Sequence, residues 1–303
     1  MLNGVLPVDK PAGFTSFDVI AKLRGVTHTK KIGHSGTLDP MATGVLPLFF
    51  GTATKACSVL QNEDKCYTAS VCFGITTDTE DITGKVLSQM PCAVTEEQFC
   101  AAAKAFTGVQ MQTPPMYSAV KVGGRPLYDL ARKGREVERP AKEITVYSIE
   151  VTAFSEAEQT AEIEVSCGKG TYIRTLIADI GKALGCGAVM TALRRTRAGG
   201  FGIEECYTIS QVQNMMTSGT LESALLPTER LFEELPRVVL CDFDAHLYCN
   251  GVPLELEKRG MGGISGDIAV YDRAGNFLGV SYMDEAENEL KLRKLFAHEY
   301  IKI

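Results

Sequence analysis

The sequence contains no Cys-x-x-Cys pair, although it holds ten cysteines, scattered from Cys57 to Cys249. Structural zinc needs closely paired ligands, and His28, His34, His246 and His298 lie far from any such pairing. The cysteines therefore read as small core residues in a reducing compartment, not as a disulfide or metal framework. No apolar stretch approaches the roughly 18 residues that span a bilayer, and residues 45–50 make a buried strand at most. The opening Met1-Leu2-Asn3-Gly4-Val5 lacks a basic stretch followed by an apolar run. No signal peptide is read there, and cytoplasmic residence is the expectation. Internal repeats and low-complexity tracts are also missing. So is a dinucleotide fingerprint, because Gly185-Cys186-Gly187 has no third glycine and follows a helical pattern. Finally, there is no excess of positive charge: the formal net charge is −6, an unpromising start for a phosphate binder.

The charge that is present is unevenly placed. Between residues 121 and 142 seven basic side chains face three acidic ones, Asp129, Glu136 and Glu138. Between 169 and 197 there are six basic residues and one acid, Asp179, and Lys22, Arg24, Lys30 and Lys31 form a third group. Any one run reads equally well as a solvated face, but together they suggest a footprint for an anionic polymer. The length of 303 residues favours one large and one small domain.

Local patterns divide the chain further. Residues 4–8 read as a strand, and Thr15 or Ser16 caps a helix to about Arg24. Residues 67–73 read as a strand, and Thr95-Glu96-Glu97-Gln98 is a capping box opening a helix to about Phe106. Residues 112–143, broken by Pro114-Pro115, Gly123-Gly124 and Gly134, predict an arm with little regular structure. Strands follow at 144–154 and 159–167. A helix from Thr171 carries Ile173, Leu176, Ile177, Ile180 and Leu184 on one stripe, and a strand is expected at 188–193. Beyond Leu235-Pro236, strands at 238–240, 252–256, 267–271 and 277–282 predict a small β-rich module, with Asp272-Arg-Ala-Gly275-Asn276 as a hairpin loop. The fold class is α+β, with a mixed or antiparallel sheet.

One loop looks capable of chemistry. In Gly33-His34-Ser35-Gly36-Thr37-Leu38-Asp39-Pro40, glycines allow close approach to a ligand and Pro40 restricts the backbone of Asp39. A carboxylate fixed in such a loop suits a nucleophile or base. Taken alone, an Asp-Pro turn accounts for the segment better.

The longer run changes that. Residues 33–48, Gly-His-Ser-Gly-Thr-Leu-Asp-Pro-Met-Ala-Thr-Gly-Val-Leu-Pro-Leu, resemble the signature of the tRNA pseudouridine synthase B (TruB) family. Five more segments agree in order: Lys10-Pro11 with Gly13, Thr15 and Ser16; Lys65-Cys66-Tyr67; Thr77-Asp78-Thr79; Gln112-Thr-Pro-Pro-Met-Tyr-Ser-Ala-Val-Lys121 with Tyr128 and Arg132; and Cys167-Gly-Lys-Gly-Thr-Tyr172-Ile-Arg174. The resemblance covers residues 1 to about 230. It implies a pseudouridine-synthase catalytic domain over 1–235, with 112–143 as an RNA-gripping insertion, and a PUA-like RNA-binding domain over 236–303. The module's 8 basic and 11 acidic residues give it no obvious phosphate-binding face.

The resemblance also implies roles. Asp39 is expected to attack a flipped-out uridine 55 in the T loop of tRNA, at the uracil ring or at ribose C1′, without metal or cofactor. Arg174 would pair with Asp39, lower its pKa and keep it ionised. Tyr67 would stack on the base and assist the last proton removal. His34 would occupy the place the base leaves, and Tyr172 and Leu193 would line the uracil pocket. Lys10, Pro11 and Lys55 match positions that support the site, and Lys121, Arg132, Lys133 and Arg135 would grip phosphates. Family members often carry His where Val189 stands. The implied partner is the tRNA T arm, with no membrane, no obligate protein partner and a monomeric state. Two other classes compete: an RNA-folding helper, which needs no nucleophile with a charge partner, and a guide-RNA-dependent relative, against which the absence of basic tails argues.

Overall fold

The computed structural model describes residues 2–60, 64–259, 261 and 263–297. The first part alternates short and long elements: β1 (Gly4–Lys10), α1 (Ser16–Thr27), β2 (Ile32–His34), β3 (Thr43–Phe50), β4 (Lys65–Phe73), β5 (Ile75–Thr77), β6 (Val86–Gln89), α2 (Glu96–Ala105) and β7 (Gly108–Gln112). The arm holds β8 (Lys121–Val122), β9 (Arg125–Pro126) and α3 (Leu127–Ala131). Then come β10 (Lys142–Ser155), β11 (Thr160–Cys167), α4 (Ile173–Ala183), β12 (Ala188–Ala198), β13 (Phe201–Gly202), α5 (Ile209–Ser218) and α6 (Leu221–Ala224). The remainder is β14 (Arg237–Leu240), α7 (Asp242–Cys249), β15 (Asp267–Asp272), β16 (Phe277–Asp284) and β17 (Glu289–Leu295).

Both expected capping boxes form. Thr15 Oγ1 accepts from the Asp18 amide at 3.0 Å while Asp18 Oδ2 accepts from the Thr15 amide at 2.8 Å, and Thr95 and Gln98 exchange the same pair of bonds at the head of α2. Nine strands form one mixed sheet in the order β1-β3-β12-β4-β11-β10-β7, with β2 beside β3 and β13 beside β12. All its pairings are antiparallel except β12 against β3. That parallel contact depends on Gly44, whose φ is +104° and where a Cβ would lie 2.1 Å from the Arg195 carbonyl oxygen.

Helices α2 and α4 cover the half of the sheet built from β4, β10, β11 and β12, and α1 and α5 cover β1 and β3. The expected stripe on α4 is buried at Ile173, Leu176, Ile177 and Ile180, as are Arg174 and Thr175. A four-stranded sheet, β14-β15-β16-β17, makes a second core with α7. It meets the first part through Ala56, Val59 and Phe232 against Tyr271, Val280 and Phe296, and the Phe232, Phe277 and Phe296 rings lie 5.4–5.7 Å apart. No helix among the described residues is long and apolar enough to cross a membrane.

Several expectations need correction. The strand at 188–193 runs on through the basic residues to Ala198, because the sheet pairs it with β4 along that length. Residues 252–256 make only a single bridge, Leu254 to Leu290, and residues 242–249, read as no element, are helix. The 75–77/86–89 hairpin and helices α5 and α6 were also not read. The arm is less bare than its glycines and prolines suggest, since Leu127 and Ser118 are buried in it.

Candidate functional site

Asp39 stands just after the turn that follows β2, and Arg174 stands in the first turn of α4. They meet side by side: Arg174 Nε lies 2.9 Å from Asp39 Oδ2, and Nη2 donates to Oδ1 at 3.1 Å. Arg174 also donates to the carbonyls of Thr79 and Tyr117, each at 2.9 Å, and its Nη1 lies 3.6 Å from Asp81 Oδ2. The guanidinium is 4% exposed and the Asp39 side chain 33%, so a fixed cation presents a carboxylate to solvent.

The direction of the Asp39 pKa is up, not down. Burial raises it; Arg174 and Lys10 pull it back, and Asp81 pushes it further up. Arg174 lowers the pKa as expected, but it offsets only part of what burial imposes.

A cavity of about 660 Å³ opens beside the pair, lined by Asp39, Tyr67, Tyr172, Arg174, Leu193 and Arg195 among others. That size suits a nucleoside-sized guest, within the roughly 300–1,000 Å³ of ligand pockets. Tyr67 points to the buried face of β4, and burial pushes its phenol up to about 12, so it stays protonated at neutral pH. Tyr172 precedes α4 and is held from β7: its amide donates to Gln112 Oε1 at 2.8 Å, and Gln112 Nε2 donates to its carbonyl at 3.0 Å. A second cavity of about 740 Å³ is lined by His34 and Arg132 among others, and Asp39 and Arg174 line both.

The other expected residues lie elsewhere. Lys10 is fully buried beneath the loop, donating to the carbonyls of Pro11 (2.9 Å), Phe14 (2.5 Å) and Pro40 (3.3 Å), and burial lowers its pKa to about 8. It holds the Asp39 loop and does not line either cavity. Pro11 is exposed. Lys55 donates to the Leu295 carbonyl at 2.9 Å, tying the first part of the molecule to the second. Lys121 is exposed on β8. Among the described residues no group of three or more His, Cys, Asp or Glu is placed to hold a metal ion, and His298 lies outside them.

Three residues at the site escaped the sequence reading. Asp81 pairs with Arg174, Gln112 holds Tyr172, and Arg195 is wholly buried behind Tyr67. Gln112 opens one of the quoted segments, which was the available signal. Arg195 belongs to the basic run 169–197, whose pattern reads either as a solvated face or as part of a footprint for an anionic polymer.

Fold and site together define a class: α+β proteins in which a buried guanidinium holds one carboxylate at an open cavity over a mixed sheet. Solved structures share the fold. One is a chain of a Cbf5-Nop10-Gar1 complex, with a TM-score of 0.77 and 28% identity, covering 100% of this chain and 88% of that one. Another is a chain of an H/ACA RNP bound to a substrate RNA containing 2′-deoxyuridine, with a TM-score of 0.73 and 26% identity, covering 98% and 86%. The TruB family pseudouridylate synthase N-terminal domain matches residues 24–173, and the tRNA pseudouridylate synthase B C-terminal domain matches residues 174–233. The chain is 44% identical to a tRNA pseudouridine synthase B of Levilactobacillus brevis, covering 83% of this chain and 85% of that protein. It is 40% identical to that of Stutzerimonas stutzeri, covering 98% and 97%. This chain belongs to the TruB family of pseudouridylate synthases.

Proposed function

We propose that the chain isomerises uridine 55 in the T loop of tRNA to pseudouridine, with Asp39 as the nucleophile. The observation that carries this is the Asp39–Arg174 pair at the wall of a nucleoside-sized cavity in a chain of this family. In the reaction the N1–C1′ bond breaks, the base turns, and a C5–C1′ bond forms. The C5 proton leaves and N1 gains one. Asp39 attacks the uracil ring or C1′. Tyr67, Tyr172 and Leu193 supply the walls for an extruded base, and unstacking that base costs a few kcal/mol, offset by phosphate contacts from Lys121, Arg132, Lys133 and Arg135.

In this reading the enzyme works as a cytoplasmic monomer, without a cofactor or an obligate protein partner. The catalytic domain spans 1–235 with its RNA-gripping insertion at 112–143. Residues 236–303 form a PUA-like RNA-binding module, a division supported by their separate sheet and core.

The test is purified protein with an unmodified T-arm hairpin and pseudouridine mapped at nucleotide resolution. Conversion at the T-loop uridine is expected, and Asp39→Asn should bind the hairpin yet form no product. Conversion elsewhere, conversion only with a second RNA present, or turnover by Asp39→Asn each overturns the reading.

A further inference from the structure

Arg195 differs from Arg174, the guanidinium that holds Asp39. It is fully buried, among the bulkiest such side chains of the described residues, and no carboxylate lies within ion-pair distance of it among them, whereas Arg174 pairs with Asp39 and Asp81. Its Nε donates to the Val45 carbonyl at 2.7 Å and its Nη2 to the Gly36 carbonyl at 2.9 Å, while Nη1 has no hydrogen-bond partner among the described residues. A buried guanidinium with no counter-charge and an unused N–H is costly. It persists in native structures where some other group draws on the charge.

Its surroundings indicate what draws on it. Arg195 lies directly across from Tyr67 in the β12–β4 ladder, and its guanidinium stands beside the Tyr67 phenol. Both side chains line the cavity that Asp39 enters. Gly36, at φ +68°, lets the loop carrying Asp39 lie on this cation, since a Cβ there would sit 3.1 Å from both Arg195 Nη1 and Lys65 Cε. Lys65 is buried in the same cavity wall. Two buried cations of the sheet, Lys65 and Arg195, thus face a cavity whose one acidic catalytic group is already paired with Arg174.

We propose that Arg195, acting through the Tyr67 hydroxyl, stabilises the negative charge that the uracil carries between breaking of the N1–C1′ bond and formation of the C5–C1′ bond. This rests on the isomerase reading above. Attack at C1′ sends the glycosidic electron pair to N1 and O2 of the departing base. Attack at the ring sends an electron pair to the enolate oxygen O4. Either way the base becomes anionic while it is held in the cavity. Arg195 polarises the Tyr67 hydroxyl, which keeps its proton and donates a hydrogen bond to the anion. No proton changes hands in this step. Arg195 is thus a positioning residue, and the effect is electrostatic preorganisation in a water-poor site.

The test compares unmutated chain, Arg195→Lys, Arg195→Gln, Tyr67→Phe and Arg195→Gln/Tyr67→Phe for turnover and binding of the T-arm hairpin, with thermal melting to confirm folding. Removing a preorganised donor typically costs about 10²–10³ in turnover. Arg195→Gln should lose about 10²-fold in kcat with hairpin Kd unchanged within about twofold, and Arg195→Lys, which keeps the charge, should lose about tenfold. Tyr67→Phe should lose as much as Arg195→Gln, and the double variant no more than either alone. Losses that multiply, a loss confined to Kd, or equal losses in the Lys and Gln variants show a merely structural role and overturn the proposal. If Arg195→Gln does not fold, Tyr67→Phe decides: kcat within about twofold of the unmutated chain overturns it, and a loss of about 10²-fold supports it. No pseudouridine from the unmutated chain overturns the isomerase reading itself and this inference with it; normal product from unmutated chain and variants alike overturns this inference alone.

Discussion

The floor of the cavity and the arm that borders it both carry positive charge, and they hold it in opposite ways. On the floor, Arg174 and Arg195, with Lys10 beneath the Asp39 loop, are at most 4% exposed, and each donates to main-chain carbonyls of the strands and loops around it. On the arm, Lys121, Arg132, Lys133 and Arg135 are exposed on a two-residue ladder, a one-turn helix and the loop after it. Floor charge is fixed before any ligand arrives, so it acts on the reacting atoms at full strength. Arm charge is screened by salt and is suited to collecting a polyanion. The same residue types thus divide between chemistry and binding according to burial.

The largest effect should come from breaking the floor at its charge pair. Arg174→Met leaves the Asp39 and Asp81 carboxylates near each other without their shared cation. A fall in kcat of about 10²- to 10³-fold is expected. The pH profile gives a second reading. Because the Asp39 pKa is raised, its ionised form is lost as pH falls through a value above the ordinary 3.8, so activity should decline on the acid side well before that point. Without Arg174, only Lys10 opposes burial and Asp81, and the acid limb should move to still higher pH. A profile from the unmutated chain that is flat down to about pH 4, in line with ordinary carboxylate values, contradicts the assignment.

A weaker effect is expected where floor and arm join. Gln112 is buried at the end of β7, where the arm begins, and its amide makes both of its bonds to the backbone of Tyr172 on the cavity wall. Gln112→Met keeps the bulk and removes both. Losing them should cost about 1–3 kcal/mol in a denaturant melt. It should also lower kcat/KM about tenfold through misplacement of Tyr172 and the head of α4. Unchanged stability and kinetics together would show that the arm and the wall are independent.

What could be read from the chain follows the same division. Asp39, Tyr67, Tyr172 and Arg174 each lie in a short run with a recognisable pattern, Leu193 is matched only through the resemblance, and the structure brings all five to one cavity. The convergence of the first four is legible because local sequence marks each one. Arg195 was not legible. Its partner Gly36 is 159 residues away, and a sequence shows that a residue is charged without showing that a sheet buries it. The basic run at 169–197 is therefore not all available to an anionic polymer: Arg174 is buried against Asp39 as expected, Arg195 is buried as well, and Arg194 is paired with Asp9 at 2.9 Å. The end of β12 is hidden for the same reason, because one charged residue there, Arg195, faces the buried side of the sheet. The direction of the Asp39 pKa also lay beyond the sequence, which gives the identity of the charge partner but not the depth of burial.

The smallest effect should fall on the arm alone. Arg132 is exposed, lies 5.5 Å from the centre of the Tyr128 ring, and lines the second cavity next to the charge pair. Its side chain makes no hydrogen bond or ion pair among the described residues, so its removal leaves no buried group unsatisfied. Arg132→Ala should leave thermal stability within about 0.5 kcal/mol, as for surface substitutions generally. If arm charge collects RNA and floor charge drives the reaction, kcat should hold while KM rises a few-fold. The dependence of hairpin binding on salt should lose about one unit of slope, the mark of one phosphate contact removed. High salt should then erase the difference between Arg132→Ala and the unmutated chain, while leaving the Arg174→Met defect in place. A drop in kcat with KM and salt slope unchanged would move Arg132 from the arm's side of the comparison to the floor's, because only a group acting on the reacting atoms can slow turnover without weakening capture.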